Sequence, residues 1–286
     1  MGNKMGKFDG IFIVSDMDGT FLGNGGRVVH ENIDAIEYFK SEGGLFTAAS
    51  GRAFYILLPM DSVKKCMNAP AVLSNGACFY DFTKNKTIDG VFLDAKTVSE
   101  TLIFVRQNHP TVGIIANSDR GILTDLLVHG IGDYPSAIGE HMFHVRPVGA
   151  WETDTHGVFK IVVRGEPDEL DTIREELSER FPETYEFAKS CATFLEMQTL
   201  GITKAVRVAE LKDLLQRKRG QKLKLFACGD YENDIEMLKM ADVAVCPENA
   251  IPEVKEISDM CLCHCDRGLI ADLIKALDND PKLREI

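Results

Sequence analysis

The chain has 286 residues, of which 45% are hydrophobic and 27% are charged, a composition typical of folded globular proteins. Its 32 Lys and Arg residues and 44 Asp and Glu residues give a net charge of −12. This negative field repels nucleic-acid phosphates and anionic membrane surfaces, so we expect neither as a partner. A small anionic substrate remains compatible with it, because one local cation reverses the field inside a cleft. The length suggests two domains, since a typical domain has roughly 100–200 residues.

The sequence indicates a cytoplasmic protein. No apolar run approaches the roughly 18 residues that a membrane-spanning helix needs, and the run at 11–14 is too short for the core of a signal peptide. The eight cysteines are too sparse for a disulfide scaffold. Cys261, Cys263 and Cys265 alternate along the chain, so in a strand they would share one inward face. Their spacing is unusual for structural zinc, and the role of this cluster stays open.

The first part of the chain alternates strands and helices. Strands are predicted at 11–14, 45–49 and 71–74, because these runs are short, apolar and bounded by turn residues. A helix is predicted at 31–41, where apolar residues recur at helical spacing and Gly43-Gly44 provides a stop. This alternation is typical of a parallel sheet that is covered by helices.

The middle of the chain, from about 83 to 190, is rich in turn residues and differs in character. It contains a predicted strand at 158–163 and an amphipathic helix at 168–180. The strand and helix alternation then returns, with predicted elements at 203–217 (helix), 223–227 (strand), 233–241 (helix) and 243–245 (strand).

These patterns predict an α/β fold with two parts. Residues 1–82 and 191–286 form a Rossmann-like parallel-sheet core with helices on both faces. Residues 83–190 form an inserted α+β cap.

Acidic and polar residues follow three of the predicted core strands. Asp16 and Asp18 follow the first strand, Ser50 the second, and Asp230 with Asp234 the strand at 223–227. Open parallel sheets bind ligands at this edge. Asp16 and Asp18 would point the same way while the chain stays extended, and carboxylates about 4 Å apart repel by roughly 4 kcal/mol at an effective dielectric near 20. The cluster therefore shares protons or holds a cation, and oxygen ligands without a nearby histidine favour Mg²⁺ over zinc or copper.

Four motifs resemble, in their order, those of the haloacid dehalogenase superfamily. They are DMDGTFL at 16–22, Ser50 in AASGR, Lys204 in GITKA and GDYENDIEM at 229–237. Together with SNGA at 74–77 and ENAIPEVK at 248–255, their spacing resembles the Cof-type branch, whose cap is inserted between the second and third motifs. The second Asp of the DxDGT pattern argues against the true dehalogenases of the superfamily, which lack it.

The resemblance implies hydrolysis of phosphomonoesters. Asp16 would attack phosphorus to form an aspartyl-phosphate, and Asp18 would protonate the leaving oxygen and later deprotonate the attacking water. Mg²⁺ would be held by Asp16, by the backbone carbonyl of Asp18 and by Asp230. The ion and Lys204 would neutralise the transferring phosphoryl group.

The resemblance and the loop positions imply further site residues. The Ser50 hydroxyl would donate to a phosphoryl oxygen, Asp234 would fix the Lys204 ammonium, and Asn233 would contact the phosphate or the water shell of the metal. Arg52 and Asn75 follow strands and are predicted to line the phosphate pocket, with a surface ion pair or a turn-stabilising role as the alternative. Gly51 is predicted beside them at the phosphate, and Thr20 in a supporting role.

The leading hypothesis is a Mg²⁺-dependent phosphatase of small phosphorylated metabolites, sugar phosphates first. One alternative is a phosphate-binding or signalling protein that keeps a phosphoryl group on Asp without turnover, although receiver domains lack the second Asp. Another is a phosphatase of a phosphorylated cofactor or nucleotide. The chain contains no GxxxxGK[ST] and no GxGxxG motif, which disfavours a nucleotide kinase and a dinucleotide-binding oxidoreductase. The physiological substrate, the specificity residues of the cap and the choice between monomer and dimer stay open.

Overall fold

The computed structural model of the protein describes residues 6–124, 143–145 and 155–285, so part of the predicted cap lies outside the described residues. The strands in chain order are β1 (Ile11–Ser15), β2 (Leu45–Ala48), β3 (Ala71–Leu73), β4 (Cys78–Asp81), β5 (Lys86–Gly90), β6 (Gly113–Ser118), β7 (Gly121–Thr124), β8 (Phe143–Val145), β9 (Val158–Arg164), β10 (Tyr185–Cys191), β11 (Phe194–Thr199), β12 (Lys224–Cys228), β13 (Val243–Pro247) and β14 (Met260–Leu262). The α-helices are α1 (His30–Ser41), α2 (Phe54–Leu57), α3 (Asp61–Cys66), α4 (Ala95–Asn108), α5 (Pro167–Arg180), α6 (Lys204–Arg219), α7 (Ile235–Met240), α8 (Pro252–Ile257) and α9 (Leu269–Asn279).

A parallel sheet in the order β14-β13-β12-β1-β2 forms the core. Successive side chains of β1 point to opposite faces. Ile11 and Ile13 pack in one apolar cluster with α1 and α9, whereas Phe12 and Val14 pack in another with α6, α7 and α8. The predicted Rossmann-like core with helices on both faces is therefore confirmed.

The bounds of α6 show how local sequence sets a helix. The Thr203 hydroxyl accepts a hydrogen bond from the backbone N–H of Val206 at 3.2 Å, which caps the first turn. Gly220 ends the helix with a left-handed φ of 68°, a conformation that glycine adopts without a steric cost.

A second sheet, in the order β10-β11-β9-β6-β7-β8, belongs to the inserted segment. It packs against α4 and α5 through a separate apolar cluster that includes Leu102 and Ile173. This sheet continues through β11 to Thr199, past the predicted end of the cap at residue 190. The predicted start at residue 83 falls inside the β4–β5 hairpin. That hairpin is tied to the core, because the Arg207 guanidinium of α6 contacts Asp89 of β5.

The cap covers the carboxyl edge of the core sheet. Tyr55 and Ile56 of the core share a buried apolar cluster with Ile122 and Val162 of the cap. The Tyr55 hydroxyl donates a buried hydrogen bond of 2.7 Å to Asn117 Oδ1 of β6. Apolar packing and a hydrogen bond therefore both join the two parts.

The predicted inward row of cysteines is wrong. β14 ends at Leu262, and a 3₁₀ turn at Cys265–Arg267 follows. The strand geometry that would align the three side chains is therefore lost, and Cys261 is exposed while Cys265 is buried. Within the described ranges, no helix has the length and apolar character needed to cross a bilayer.

Candidate active site

Strand pairing brings the predicted site residues to one edge of the core sheet. β1 lies between β12 and β2, so Asp16, Ser50 and Asp230 leave three adjacent strands in the same direction. The backbone N–H of Asp16 donates to the Cys228 carbonyl at 2.8 Å, which extends the β1 pairing by one residue. The chain thus turns into the site directly from the sheet.

Lys204 connects two carboxylates below this edge. Its Nζ atom lies 2.6 Å from Asp16 Oδ1 and 2.7 Å from Asp234 Oδ1, and all three residues are buried. The other oxygen of Asp234 accepts backbone N–H bonds from Asp230 and Tyr231 at 3.0 and 3.2 Å. Because both Asp234 oxygens are engaged, this carboxylate fixes the ammonium against Asp16.

The cluster holds more negative than positive charge. Oxygen atoms of Asp16, Asp230 and Asp234 lie within 4.8 Å of one another, whereas Lys204 supplies one positive charge. Burial raises the pKa of Asp16 well above its ordinary value despite Lys204. Burial and the charge of Asp234 raise the pKa of Asp230 to about 7. Burial alone would lower the pKa of Lys204, but Asp16 and Asp234 outweigh it and raise that pKa.

The donor chemistry of this cluster fits Mg²⁺. Its ligand atoms are hard oxygens, which this ion prefers. Three carboxylates and one ammonium leave two excess negative charges, which a divalent cation would neutralise. Because Asp234 is committed to Lys204, Asp16 and Asp230 are the side chains that would hold the ion.

Two neighbours orient the Asp230 carboxylate. Thr20 Oγ1 donates to Asp230 Oδ1 at 2.7 Å. Gly19 has a left-handed φ of +78°, and a Cβ atom at this position would lie 2.4 Å from Asp230 Oδ2. The Asn249 side chain donates to the Gly19 carbonyl at 2.8 Å. The close approach of the loop to Asp230 therefore requires glycine.

Asp18 does not share the environment of Asp16. β1 ends at Ser15, so the alternation of side chains along a strand does not extend to the two aspartates, although both line the same cavity. The Asp18 side chain is 57% exposed and pairs with Arg52. Two hydrogen bonds, of 2.8 and 2.6 Å, join the Arg52 guanidinium to this carboxylate. Asp18 thus lies at the rim of the site.

A cavity of about 460 Å³ lies between core and cap. Its core side is lined by Asp16, Asp18, Ser50, Gly51, Arg52, Asp230 and Asn233. Its cap side includes Lys160, Val162, Arg164, Ser190, Phe194 and Glu196. Asp16, Asp18 and Asp230 therefore open into a cavity of the size of a small-molecule site.

The family model of haloacid dehalogenase-like hydrolases matches residues 13–274 of this chain. The chain belongs to this hydrolase family. The HMP-PP phosphatase of Citrobacter koseri is 26% identical over 277 residues, which cover 94% of this chain and 96% of that protein. The 5-amino-6-(5-phospho-D-ribitylamino)uracil phosphatase YitU of Bacillus subtilis is 22% identical over 269 residues, which cover 92% of this chain and 96% of that protein.

A solved structure shares the fold of this hydrolase. A haloacid dehalogenase-like hydrolase from Bacteroides thetaiotaomicron superimposes with a TM-score of 0.79 at 23% identity. The match covers 93% of this chain and 99% of that chain. The core and the inserted cap therefore occur together in an experimental structure.

Sequence reasoning missed the cap residues of this hydrolase site. Lys160 and Glu196 form a buried ion pair of 2.9 Å that lines the cavity. Asn75, predicted at the phosphate, donates through Nδ2 to the Glu196 carboxylate at the junction with the cap. One signal was available for Lys160: it interrupts the apolar strand at 158–163, and a lysine is seldom buried without a partner.

Proposed function

We propose that this hydrolase is a Mg²⁺-dependent phosphatase of small phosphorylated metabolites, sugar phosphates first, which works through an aspartyl-phosphate on Asp16. The observation that carries the proposal is the buried Asp16–Lys204–Asp234 arrangement beside Asp230, open to a cavity under the cap. A carboxylate held by an ammonium at a cavity wall is placed to attack an electrophilic phosphorus atom.

The chain's own residues account for both halves of the reaction. Asp16 attacks phosphorus, the ester P–O bond breaks, and Asp18 gives its proton to the leaving alcohol oxygen. Water then attacks the phosphoryl group on Asp16 while Asp18 takes back a proton, and phosphate leaves. Lys204 balances charge on the transferring group, and the Ser50 hydroxyl, buried at the cavity wall, donates to one of its oxygens.

Mg²⁺ would be held by Asp16, Asp230 and the backbone carbonyl of Asp18. When bound, the ion supplies Lewis-acid stabilisation of the negative charge on the phosphoryl oxygens. Thr20 and Gly19 serve this site indirectly, since they hold the Asp230 carboxylate in place.

We also propose a cytoplasmic location. All eight cysteines are free, which suits a reducing compartment. The net charge of −12 argues against a nucleic-acid or membrane partner. A small phosphorylated substrate stays compatible with it, because a local cation reverses the field inside the cleft.

The test is phosphate release from sugar phosphates, nucleotides, pyridoxal phosphate and p-nitrophenyl phosphate, with Mg²⁺ and with EDTA. The variant is Asp16→Asn, and the matched control is Asp213→Asn, which changes an exposed carboxylate on α6. We expect metal-dependent release that Asp16→Asn abolishes and that Asp213→Asn retains.

Two results would contradict the proposal. Full activity in excess EDTA would remove the metal from the mechanism. One equivalent of phosphoryl transfer without turnover would identify a protein that stores phosphate on Asp16. A nucleotide or pyridoxal phosphate that is hydrolysed faster than every sugar phosphate would keep the reaction and change the substrate class.

A further inference from the structure

Two cysteines lie opposite each other at one edge of the core sheet. β13 and β14 pair in parallel, and Cys246 of β13 is the register partner of Cys261 of β14. Neighbouring strands lie about 4.8 Å apart, and disulfides join Cα atoms that are roughly 4.4–6.8 Å apart. The backbone spacing at this pair of positions therefore suits a disulfide.

Both side chains project from the same face of the sheet. Met260 and Leu262, which flank Cys261, pack in the apolar cluster of α1 and α9, so the alternation along β14 turns Cys261 to the opposite face. Cys246 belongs to the apolar cluster on that opposite face. Burial and the neighbouring Cys261 thiol raise the pKa of Cys246 to about 11. The two thiols therefore face each other across the gap between adjacent strands.

The two thiols differ in their access to solvent. β14 is the edge strand of the described core sheet, and its Cys261 is exposed, whereas Cys246 is 0% exposed. The structure describes all eight cysteines, and the seven besides Cys261 are buried or half-buried. A small oxidant in solution therefore meets the Cys261 thiol first, and the protected Cys246 thiol lies next to the sulfur that is oxidised.

We infer that hydrogen peroxide converts Cys246 and Cys261 into a reversible disulfide, which makes this pair a redox-sensitive modification site. The Cys261 thiolate attacks one peroxide oxygen, the O–O bond breaks, and the hydroxide that leaves takes up a proton to form water. The Cys246 sulfur then attacks the sulfur of the resulting sulfenic acid. The S–O bond breaks, and hydroxide leaves with the Cys246 proton as a second water. The two sulfurs lose two electrons, which the peroxide gains.

The strand geometry favours a bond that reductants open easily. The side chains of register partners run side by side, so their Cβ atoms lie about 4.8 Å apart, like the strands. A disulfide draws Cβ atoms to roughly 3.5–4.5 Å, and closing the difference strains the bond. Strained or exposed disulfides are the labile ones. A transient disulfide of this kind is compatible with the reducing compartment proposed above.

The experiment treats the full chain with hydrogen peroxide at pH 8 and maps its tryptic peptides without reduction. Trypsin places Cys246 in the peptide 240–255 and Cys261 in the peptide 256–267, so the disulfide joins these two peptides. We expect an intact mass that is lower by two hydrogen atoms and a loss of two titratable thiols per chain. Dithiothreitol should reverse both changes completely.

Variants assign the cross-link to its cysteines, because the peptide 256–267 also contains Cys263 and Cys265. Cys261→Ser changes an exposed residue of the edge strand and should abolish the cross-link. Cys263→Ser is the matched control, because Cys263 follows the end of β14 at Leu262, and it should keep the cross-link. Cys246→Ala should leave Cys261 as a sulfenic acid, which dimedone traps.

Several results would overturn the inference. A cross-link that persists in Cys261→Ser, or that Cys263→Ser abolishes, would assign the disulfide to another pair. A disulfide between two chains on a non-reducing gel would do the same. Oxidation of Cys261 to sulfinic acid while Cys246 stays reduced would show that the two thiols do not join. These measurements need no substrate, so they test the inference independently of the proposed phosphatase function.

Discussion

The Arg52 guanidinium holds the Asp18 carboxylate with two parallel hydrogen bonds, Nε to Oδ2 at 2.8 Å and Nη2 to Oδ1 at 2.6 Å. This fork fixes the orientation of the carboxylate as well as its position. Asp18 is the residue proposed to protonate the leaving oxygen, and its side chain would otherwise be free to rotate at the rim of the cavity. Arg52 therefore orients the Asp18 side chain at the cavity, and both carboxylate oxygens accept hydrogen bonds here, which is the form that takes a proton from the attacking water.

Arg52→Lys should lower kcat by about tenfold, since lysine keeps the charge but not the planar fork. The measurement is the steady-state rate on an alkyl phosphate with saturating Mg²⁺. Arg27→Lys is the control, because Arg27 makes an exposed ion pair of 3.0 Å with Asp266. Wild-type kcat in Arg52→Lys would show that charge alone is needed.

Asp18→Asn should slow alkyl phosphates far more than p-nitrophenyl phosphate in the first half of the reaction. Nitrophenolate leaves without protonation, whereas an alkoxide needs the acid. Asp18 is also proposed to activate the water of the second half. We therefore expect a rapid burst of about one nitrophenolate per enzyme, followed by slow release. Rapid-quench kinetics measure the size of this burst. If both esters are slowed equally and no burst appears, Asp18 does not protonate the leaving oxygen.

Gly19→Ala should abolish most activity and raise the Mg²⁺ concentration that is required. The added methyl group would meet Asp230 Oδ2 at 2.4 Å, so the carboxylate must move. Gly201→Ala is the matched control, because Gly201 has a φ of +76° with no atom within 4 Å. That control should cost roughly 1–2 kcal/mol of stability from backbone strain alone and keep its metal requirement. Titration of activity with Mg²⁺ compares the two variants. If both need a similar Mg²⁺ concentration, the added methyl group at position 19 does not displace the Asp230 carboxylate.

Mg²⁺ should stabilise the fold more at pH 8 than at pH 6. In the metal-free fold burial and Asp234 raise the pKa of Asp230 from 3.8 to about 7, so between these values the folded chain holds a proton that the unfolded chain has lost. Stability therefore falls as pH rises through this window. Above it the carboxylate is deprotonated and available to the metal.

Thermal unfolding with and without Mg²⁺ at the two pH values measures this effect. Asp230→Asn has no carboxylate to titrate, so we expect its response to Mg²⁺ to be small and equal at both. A wild-type midpoint that rises equally at pH 6 and pH 8 would show that Asp230 does not control metal binding.

The core of the site was predictable because one rule places it. The carboxyl ends of parallel strands share an edge, so residues that follow β1, β2 and β12 had to lie together. The role of Lys204 came instead from the resemblance of GITKA to a motif of the family. Helix α9 was not among the predicted elements, although Leu269, Leu273 and Leu277 have helical spacing and are all buried.

The cap side of the site was not predictable in the same way. Lys160 and Glu196 come together because β9 pairs with β11 antiparallel, and no spacing rule specifies that pairing within a turn-rich segment. The exposure of Asp18 depended on β1 ending at Ser15, before either aspartate, because the alternation of side chains holds only within a strand. Strand ends are poorly defined by local sequence.

The hydrogen bond between Thr20 and Asp230 joins residues that are 210 positions apart. A contact of this sequence separation forms late, because the intervening chain must first be ordered. The cap sheet lies wholly within that interval, so on the ribosome it emerges before β12 does. A nascent chain that ends before β12 contains the complete described cap sheet and the first two core strands, but it lacks Asp230 and Asp234. Hydrolytic activity therefore reports that β12, with which about the last fifth of the chain begins, has been synthesised and has joined the sheet, and a product truncated before it is inactive.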